Sequence, residues 1–257
     1  MRRIAILLAL VLASLVPFAA RASSRPVEVH QLLALPQPGT KIAALTLDAC
    51  GGGYDAGLIR FLVEERIPAT VFATRKWIEG NAEGVAALRS HPELFDIEDH
   101  GANHVPAVIG VGRSVYGIAG NRDVAHLESE VRDGAAAVAA VTGSAPRWYR
   151  GATAEYDPQA LQVIEAMGYK VAGFSVNADA GATLGRETIA ARLDAVKPGD
   201  IIIAHMNKPG SDTAEGLASG LKSLLVRGFR FVTLREMDVR SSAGARIALI
   251  NGAFSVP

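Results

Sequence analysis

Short apolar runs alternate with stretches of helical spacing along most of the chain. Runs rich in Ala, Val and Ile predict strands, and apolar residues three and four positions apart predict helices. Glycine after a helical stretch and proline in the connection mark several helix ends. The predicted strands cover residues 41–47, 68–73, 95–98, 170–175, 201–204 and 229–234, and the predicted helices cover residues 55–66, 85–90, 124–142, 158–167, 187–195 and 214–227.

This alternation of strand and helix predicts a mostly parallel sheet with helices packed outside it. Residues 201–204 are apolar at every position, which is typical of a strand that is covered on both faces. The chain has no internal repeat and no Pro/Ser-rich linker. The pattern therefore predicts one barrel-like α/β domain rather than two domains.

Composition and charge narrow the function classes. Hydrophobic residues make up 49% of the 257 residues, which is enough apolar material for a large core. Lys plus Arg and Asp plus Glu both number 26, so the chain lacks the basic field that nucleic-acid binding needs. A neutral or weakly charged substrate fits this balance better, and no nucleic-acid partner is expected.

The N-terminus has the pattern of a secretory signal peptide. Arg2 and Arg3 precede an uncharged apolar run over residues 4–20, and Ala20-Arg21-Ala22 has the small-x-small pattern of a cleavage site. Residues 1–22 are therefore predicted to be a signal peptide, with an uncleaved anchor as the alternative. Both place the folded part outside the cytoplasm, secreted or periplasmic. No stable membrane insertion is expected after signal removal.

Four ionisable residues closely follow predicted strands, and a fifth, Arg150, follows the run Arg147-Trp148-Tyr149. Asp48 comes directly after residues 41–47, and His205 comes directly after residues 201–204. Because the carboxyl ends of parallel strands meet at one edge of a sheet, where α/β folds build their active sites, we expect the five side chains to converge there. The five residues are Asp48, His100, Arg150, Asp179 and His205.

His100 and His104 form an H-x-x-x-H pattern. On a helical turn this spacing places both rings on one side, where a shared metal ion could bind. Two histidines with a carboxylate suit zinc or another divalent first-row metal. The alternative is a pair of solvated surface histidines, with the preceding Glu98 and Asp99 as N-terminal capping charges.

Each of the other candidates also has a structural interpretation. His205 is expected to act in acid–base chemistry, or else to be a buried strand-end histidine that bonds the backbone. Arg150 could be a surface arginine after a turn, and Asp179 a turn residue. The single cysteine, Cys50, has no evident activating base near it in the sequence, so we expect a small buried residue beside a glycine turn rather than a nucleophile.

Together these segments resemble the polysaccharide deacetylase family, or NodB homology domain, over residues 41–234. The resemblance implies a distorted (β/α) barrel with mostly parallel strands. It divides the chain into an N-terminal extension at residues 23–40, a catalytic domain at residues 41–240 and a C-terminal tail at residues 241–257. The matching segments are Thr46-Leu47-Asp48-Ala49, His100-Gly101-Ala102-Asn103-His104, Tyr149-Arg150-Gly151-Ala152, Asp179 and Ile203-Ala204-His205.

The resemblance implies a metal-dependent hydrolase that removes acetyl groups from the nitrogen of a carbohydrate polymer. His100 and His104 would hold a divalent metal, for which zinc is expected. Asp48 would take the proton of the attacking water and Arg150 would hold Asp48. His205, assisted by Asp179, would protonate the leaving amine. A backbone N–H of the Tyr149 segment would stabilise the oxyanion.

Ala49 stands where the family has a second aspartate, which is its third metal ligand. This donor would come from Asp48, from Asp55 across the Cys50-Gly51-Gly52-Gly53 turn, or from water. Two other functions stay open. A glycan-binding module could have lost turnover with Ala49. A metal-dependent esterase could release O-acetyl groups, because the same metal-bound water could attack an ester. A serine hydrolase is disfavoured because no G-x-S-x-G sequence occurs.

Overall fold

The computed structural model describes residues 25–241. The predicted signal peptide and nearly all of the predicted C-terminal tail lie outside these residues. Within them, no helix is both long and apolar enough to cross a membrane.

Fifteen strands and seven helices form the described part of the chain, and we number them in chain order. The helices are α1 Ala56–Glu64, α2 Arg75–Gly80, α3 Ala82–Arg89, α4 Val124–Thr142, α5 Pro158–Ala166, α6 Arg186–Asp194 and α7 Thr213–Val226. The strands are β1 Val27–Glu28, β2 Gln31–Leu33, β3 Ile42–Ala49, β4 Ala69–Ala73, β5 Phe95–Asp99, β6 Pro106–Ala107, β7 Ser114–Val115, β8 Ile118–Ala119, β9 Trp148–Tyr149, β10 Ala152–Tyr156, β11 Lys170–Val171, β12 Val176–Asn177, β13 Ile201–His205, β14 Arg230–Val232 and β15 Val239–Ser241.

A parallel sheet forms the centre of the fold. Its strand order is β11-β9-β5-β4-β3-β13-β12, with β14 also paired to β3, and every neighbouring pair is parallel. One apolar cluster packs between the sheet and the helices, and a second, containing Phe72, Trp148 and Ile203, lies on the other face. Strand alternation explains this division, since successive side chains point to opposite faces. The predicted distorted (β/α) barrel with mostly parallel strands is confirmed.

The segment before residue 41 lies between the two edges of this sheet. β1 pairs antiparallel with β10, and β2 pairs antiparallel with β15. The side chain of Gln31 donates to the carbonyl of Val171 at one edge, and Leu32 bridges Asp200 next to the other edge. The gap between the first and last strands of the sheet is therefore covered by the N-terminal extension.

Most predicted elements are confirmed, and the exceptions have local causes. α4 has the predicted bounds and ends at Gly143, whose φ of 77° places it in the left-handed conformation. The predicted strand at residues 170–175 is wrong beyond Val171, because Gly173 turns against the backbone of Val29. A Cβ on Gly173 would lie 1.9 Å from the Val29 carbonyl oxygen. The sequence analysis also missed α2 and the short strands between residues 106 and 119.

Candidate active site and metal centre

The five strand-end residues gather at the carboxyl edge of the parallel sheet. Asp48 and His205 are register partners on β3 and β13. His100 follows the last residue of β5, and Arg150 follows β9. Asp179 lies two residues beyond β12. The parallel arrangement thus brings together residues that are up to 157 positions apart in the sequence.

Arg150 is fully buried and holds Asp48. Its Nη1 donates to Asp48 Oδ1 at 2.8 Å and to the Thr46 hydroxyl at 2.9 Å, and its Nη2 donates to the Gly173 carbonyl at 3.0 Å. The guanidinium also lies 4.2 Å from the ring centroid of Phe72. Burial alone would raise the pKa of Asp48, but the positive charges of Arg150, His100 and His205 together outweigh it and hold the pKa below its ordinary value. The alternative of a surface arginine is wrong.

His100 lies in a loop rather than on the predicted helical turn. Its Nδ1 lies 2.6 Å from the carbonyl oxygen of Arg150, and this contact fixes the ring so that Nε2 faces the site. Nε2 lies 3.8 Å from Asp48 Oδ2. Burial would lower the pKa of His100, but Asp48 and Cys50 outweigh it and raise the pKa to about 9. Asp48 and Cys50 would also stabilise a cation bound to His100. A proton and a metal ion would compete for the same ring nitrogen.

The loop from Gly101 to Val105 brings His104 to His100. The two ring centroids are 5.0 Å apart, and both Gly101 and His104 have positive φ, 83° and 65°. Neighbouring strand residues Glu98 and Asp99 are buried in β5, so their interpretation as capping charges is wrong. The two rings lie together as predicted. Their proximity results from the left-handed backbone at Gly101 and His104 rather than from the spacing of a helix.

Glu130 on α4 accepts hydrogen bonds from this loop. Its Oε1 accepts the backbone N–H groups of Asn103 at 2.8 Å and Val105 at 3.1 Å, and its Oε2 accepts the Asn103 side chain. A Cβ on Gly101 would lie 2.6 Å from Oε1. One turn later, Gly134 lets Asp99 and Gly101 pack directly on the helix, since a Cβ there would lie 2.2 Å from Asp99 Oδ1. Glu130 therefore holds the residues on both sides of His104.

Replacing Glu130 by alanine should weaken both the fold and the metal centre. Two backbone N–H groups and the Asn103 side chain, all partly buried, lose their acceptor, so the free energy of unfolding should fall by about 1–3 kcal/mol. Metal affinity should fall by about 10–100-fold, as for other residues that orient a ligand. Metal titration and chemical denaturation measure both effects. Glu130→Gln should restore part of each, and Glu128→Ala, on the exposed face of α4, is the matched control. Unchanged metal affinity in Glu130→Ala would contradict the positioning role.

Cys50 lies next to His100 and His104. The sequence analysis expected only a small buried residue beside a glycine turn. Its Sγ is 3.5 Å from Nε2 of His100. The donor atoms of Cys50, His100 and His104 all lie within 4.8 Å of one another. Burial alone would raise the pKa of the thiol, but the charge of His100 and the hydrogen bonds of His100, His104 and His205 together hold it well below the ordinary value of 9.0. Cys50 does lie beside the glycine turn, as expected, and is half-buried.

The other residues considered for a third metal ligand have different positions. Asp55 caps α1, where its Oδ1 accepts the backbone N–H of Leu58 at 2.9 Å. Ala49 packs with Leu45 and Leu47 into the cluster under the helices, on the opposite face from Asp48. Asp48 keeps one oxygen on Arg150. The interpretation of Asp55 as a residue reaching back across the turn is therefore wrong.

His205 and Asp179 form the second half of the site. His205 Nδ1 lies 3.0 Å from Asp179 Oδ1, and the His205 backbone N–H donates to Asp179 Oδ2 at 2.8 Å. Asp179 also accepts from the Thr213 hydroxyl and from the backbone N–H of Gly181. The sequence left two interpretations of Asp179 open, a turn residue or the partner of His205, and Asp179 has both positions. Burial would lower the pKa of His205, but Asp179 and Cys50 together outweigh it and hold the pKa well above 6.5.

Two of the backbone N–H groups near Tyr149 are already engaged. The Arg150 N–H donates to the carbonyl of Asp99 at 2.9 Å, and the Gly151 N–H donates to the hydroxyl of Tyr156 at 3.0 Å. Neither can stabilise an oxyanion without giving up its partner. The predicted oxyanion donor from this segment stays a prediction, limited to the remaining N–H groups.

Sequence reasoning missed the roles of Cys50 and Glu130. A signal for Cys50 was present, since the chain lacks the expected second carboxylate at position 49 and carries its single thiol one residue later. Glu130 had no such signal. It lies in the middle of a helix whose other charged residues face solvent, and only packing shows that it is buried.

Comparisons with known proteins agree with this geometry. The sequence profile described as polysaccharide deacetylase matches residues 36–172, more than half of the chain. No curated protein sequence matches significantly.

Several solved structures share the fold. The Bc1960 peptidoglycan N-acetylglucosamine deacetylase matches with a TM-score of 0.65 and 18% identity over 81% of this chain and 91% of its own. A family 4 acetyl xylan esterase from Clostridium thermocellum, in complex with a cobalt ion, matches with a TM-score of 0.62 and 22% identity over 76% of this chain and 89% of its own. A family 4 pseudoenzyme from Bacillus anthracis matches with a TM-score of 0.62 and 16% identity over 78% of this chain and 66% of its own.

The match to the family profile contains Asp48, both histidines of the candidate metal centre and Arg150, and the parallel sheet places His205 and Asp179 beside them. The chain belongs to the polysaccharide deacetylase family.

Proposed function

We propose that this protein is an exported, metal-dependent hydrolase that removes N-acetyl groups from an amino-sugar polysaccharide, such as peptidoglycan or an exported glycan. One observation carries the proposal. A buried Asp48–Arg150 pair, two facing imidazoles and a His205–Asp179 pair meet at one edge of the sheet. These are the groups that hydrolysis of an amide needs: a base, a metal site and an acid.

The side chains present fit a divalent metal. His100 has its Nδ1 on a backbone carbonyl, which leaves Nε2 as a donor, and the His104 ring lies beside it. Imidazoles held in this way are typical zinc ligands. A bound divalent ion would polarise the acyl carbonyl and lower the pKa of a water molecule. His100 and His104 would hold the ion, and zinc is our first choice.

Asp48 is suited to act as the base. The charge of Arg150 favours the ionised carboxylate, and the two bonds that Arg150 Nη1 donates, to Asp48 and to the Thr46 hydroxyl, fix the geometry of that end of the site. Its Oδ2 faces the His100 ring, on the side where the water would lie. Asp48 can therefore accept a proton from the attacking water.

His205 is suited to act as the acid. Its Nδ1 is occupied by Asp179, so Nε2 is the atom that would donate a proton to the departing amine. Asp179 keeps the ring protonated by raising its pKa. An amine leaves poorly without a proton, so this residue supports amide hydrolysis in particular.

Metal analysis with an acetate-release assay tests the proposal. The purified mature protein should contain about one equivalent of divalent metal and release acetate from N-acetylglucosamine oligomers in a chelator-sensitive way. His100→Ala and His104→Ala should both lose the metal and the activity. His91→Ala, on the surface and paired with Glu93, is the matched control. Wild-type activity in either active-site variant would contradict the proposed metal site.

The Bacillus anthracis neighbour defines the competing outcome, since it is called a pseudoenzyme. A metal-free protein that binds the oligomers, releases no acetate and is not rescued by added metal would be a glycan-binding module. Acetate release from O-acetylated glycans alone would indicate an esterase.

A further inference from the structure

A third side chain lies beside His100 and His104 in the candidate metal centre. Among residues 25–241, only one group of three His, Cys, Asp or Glu side chains has donor atoms this close together. Its members are Cys50, His100 and His104, all within 4.8 Å of one another. Position 49, the site of the family's second aspartate, holds an alanine that packs under the helices.

The turn around Cys50 is held from both sides. The Thr74 hydroxyl, at the end of β4, donates to the Cys50 carbonyl at 2.9 Å. The Asn207 side chain, beyond β13, donates to the Gly51 carbonyl, and the Gly53 N–H donates to the Asn207 carbonyl at 3.0 Å. The sulfur therefore lies opposite the imidazoles because the backbone is anchored to both neighbouring strand ends.

The glycines make this anchoring possible. Gly51 and Gly52 have φ of 155° and 80°, and a Cβ on Gly52 would lie 3.2 Å from the Asn207 carbonyl oxygen. A side chain there would strain the turn and push it away from β13. The chain thus places its single sulfur in a prepared position rather than on a loose loop.

We propose that Cys50 is the third protein ligand of the metal, binding as a thiolate beside His100 and His104 in place of the family's carboxylate. The inference rests on the proposed metal-dependent function and deepens it. A thiolate with two imidazoles is a ligand set that favours zinc or cobalt over magnesium, calcium or manganese. On binding, the sulfur–metal bond forms and any proton on sulfur passes to solvent, with no change of oxidation state.

Cobalt spectroscopy of the full protein tests the proposal directly. Cobalt-loaded wild type should show a sulfur-to-cobalt charge-transfer band in the near ultraviolet. The protein has one cysteine, so only Cys50 can produce this band. X-ray absorption of the zinc-loaded protein should show one sulfur at about 2.3 Å beside nitrogen or oxygen ligands at about 2.0–2.1 Å. Bound zinc should also protect the thiol from alkylation.

Substitutions separate the candidate ligands. Cys50→Ala should lose the band and weaken metal binding by more than about a hundredfold. Cys50→Asp should lose the band but keep chelator-sensitive metal binding and acetate release, because a carboxylate can take the same place. Asp55→Asn is the matched control and should keep both the band and the affinity, since Asp55 caps α1.

Three outcomes would overturn the proposal. Bound metal with only nitrogen and oxygen ligands would exclude Cys50 while leaving the proposed metal-dependent function standing. Full metal affinity in Cys50→Ala would do the same. Metal-independent turnover that is lost in Cys50→Asp, with an acyl thioester trapped on Cys50, would make Cys50 a nucleophile and would contradict the proposed metal-dependent function as well.

Discussion

Asp48→Asn is expected to lower kcat for deacetylation by about 10²–10⁴-fold, the usual contribution of a general base. The amide keeps an oxygen for Arg150 but cannot take a proton from water. It also leaves the fully buried guanidinium without its counter-charge, so the free energy of unfolding should fall by about 3 kcal/mol. Steady-state kinetics at a temperature well below the unfolding transition, with circular dichroism as a folding check, measures the two effects separately.

Asp157→Asn is the matched control for this variant. Asp157 is also a buried carboxylate on an arginine, Arg113 at 2.9 Å, but it caps α5 outside the site. The control should lose stability and keep its kcat. If Asp48→Asn turned over at the wild-type rate, the base would have to be another group, and the proposed role of the Asp48–Arg150 pair would fail.

His205→Ala is expected to separate amide from ester hydrolysis. Release of acetate from an N-acetylated sugar should fall by about 10²–10⁴-fold, because the amine leaves poorly without a proton. Hydrolysis of an activated acetyl ester should fall by less than about tenfold, because its leaving group needs little acid assistance. The ratio of the two kcat/KM values measures the effect. Equal losses on both substrates would mean that His205 does not act as the acid.

The pH profile gives an independent check on the same residue. Since Asp179 raises the pKa of His205, the acid form persists above pH 6.5, and activity should decline only as pH rises through the raised value. Asp179→Asn removes the carboxylate charge and should move this alkaline limb to lower pH. An unchanged limb would assign it to another group.

Family membership and catalytic competence are separate conclusions for this chain. The carboxylate that should follow Asp48 is absent, and one of the structural neighbours is a pseudoenzyme, with a mutant of the same protein described as having restored enzymatic activity. Here the proposed base Asp48 and the proposed acid His205 both keep their partners at short distances. Under the proposed function, activity depends on whether the cluster of Cys50, His100 and His104 holds a metal.

Local sequence patterns were sufficient for much of the fold. The bounds of α4 were predicted correctly because both ends carry their own signals, the Asp123 cap and Gly143. β13 was recognised because residues 201–204 are all apolar. The prediction of one strand over residues 170–175 was wrong because a strand needs a partner along its whole length. Gly173 instead packs against Val29, 144 positions away.

By itself the sequence determined that Asp48, His100, Arg150, Asp179 and His205 would meet, because parallel strands place their carboxyl ends together and each residue follows its own strand. Only the tertiary structure decided how they are held. Glu130 reaches a loop 27 residues away, Arg150 reaches Asp48 across 102 residues, and Cys50 meets His100 across 50. Such contacts depend on how distant segments pack, and no local periodicity encodes them.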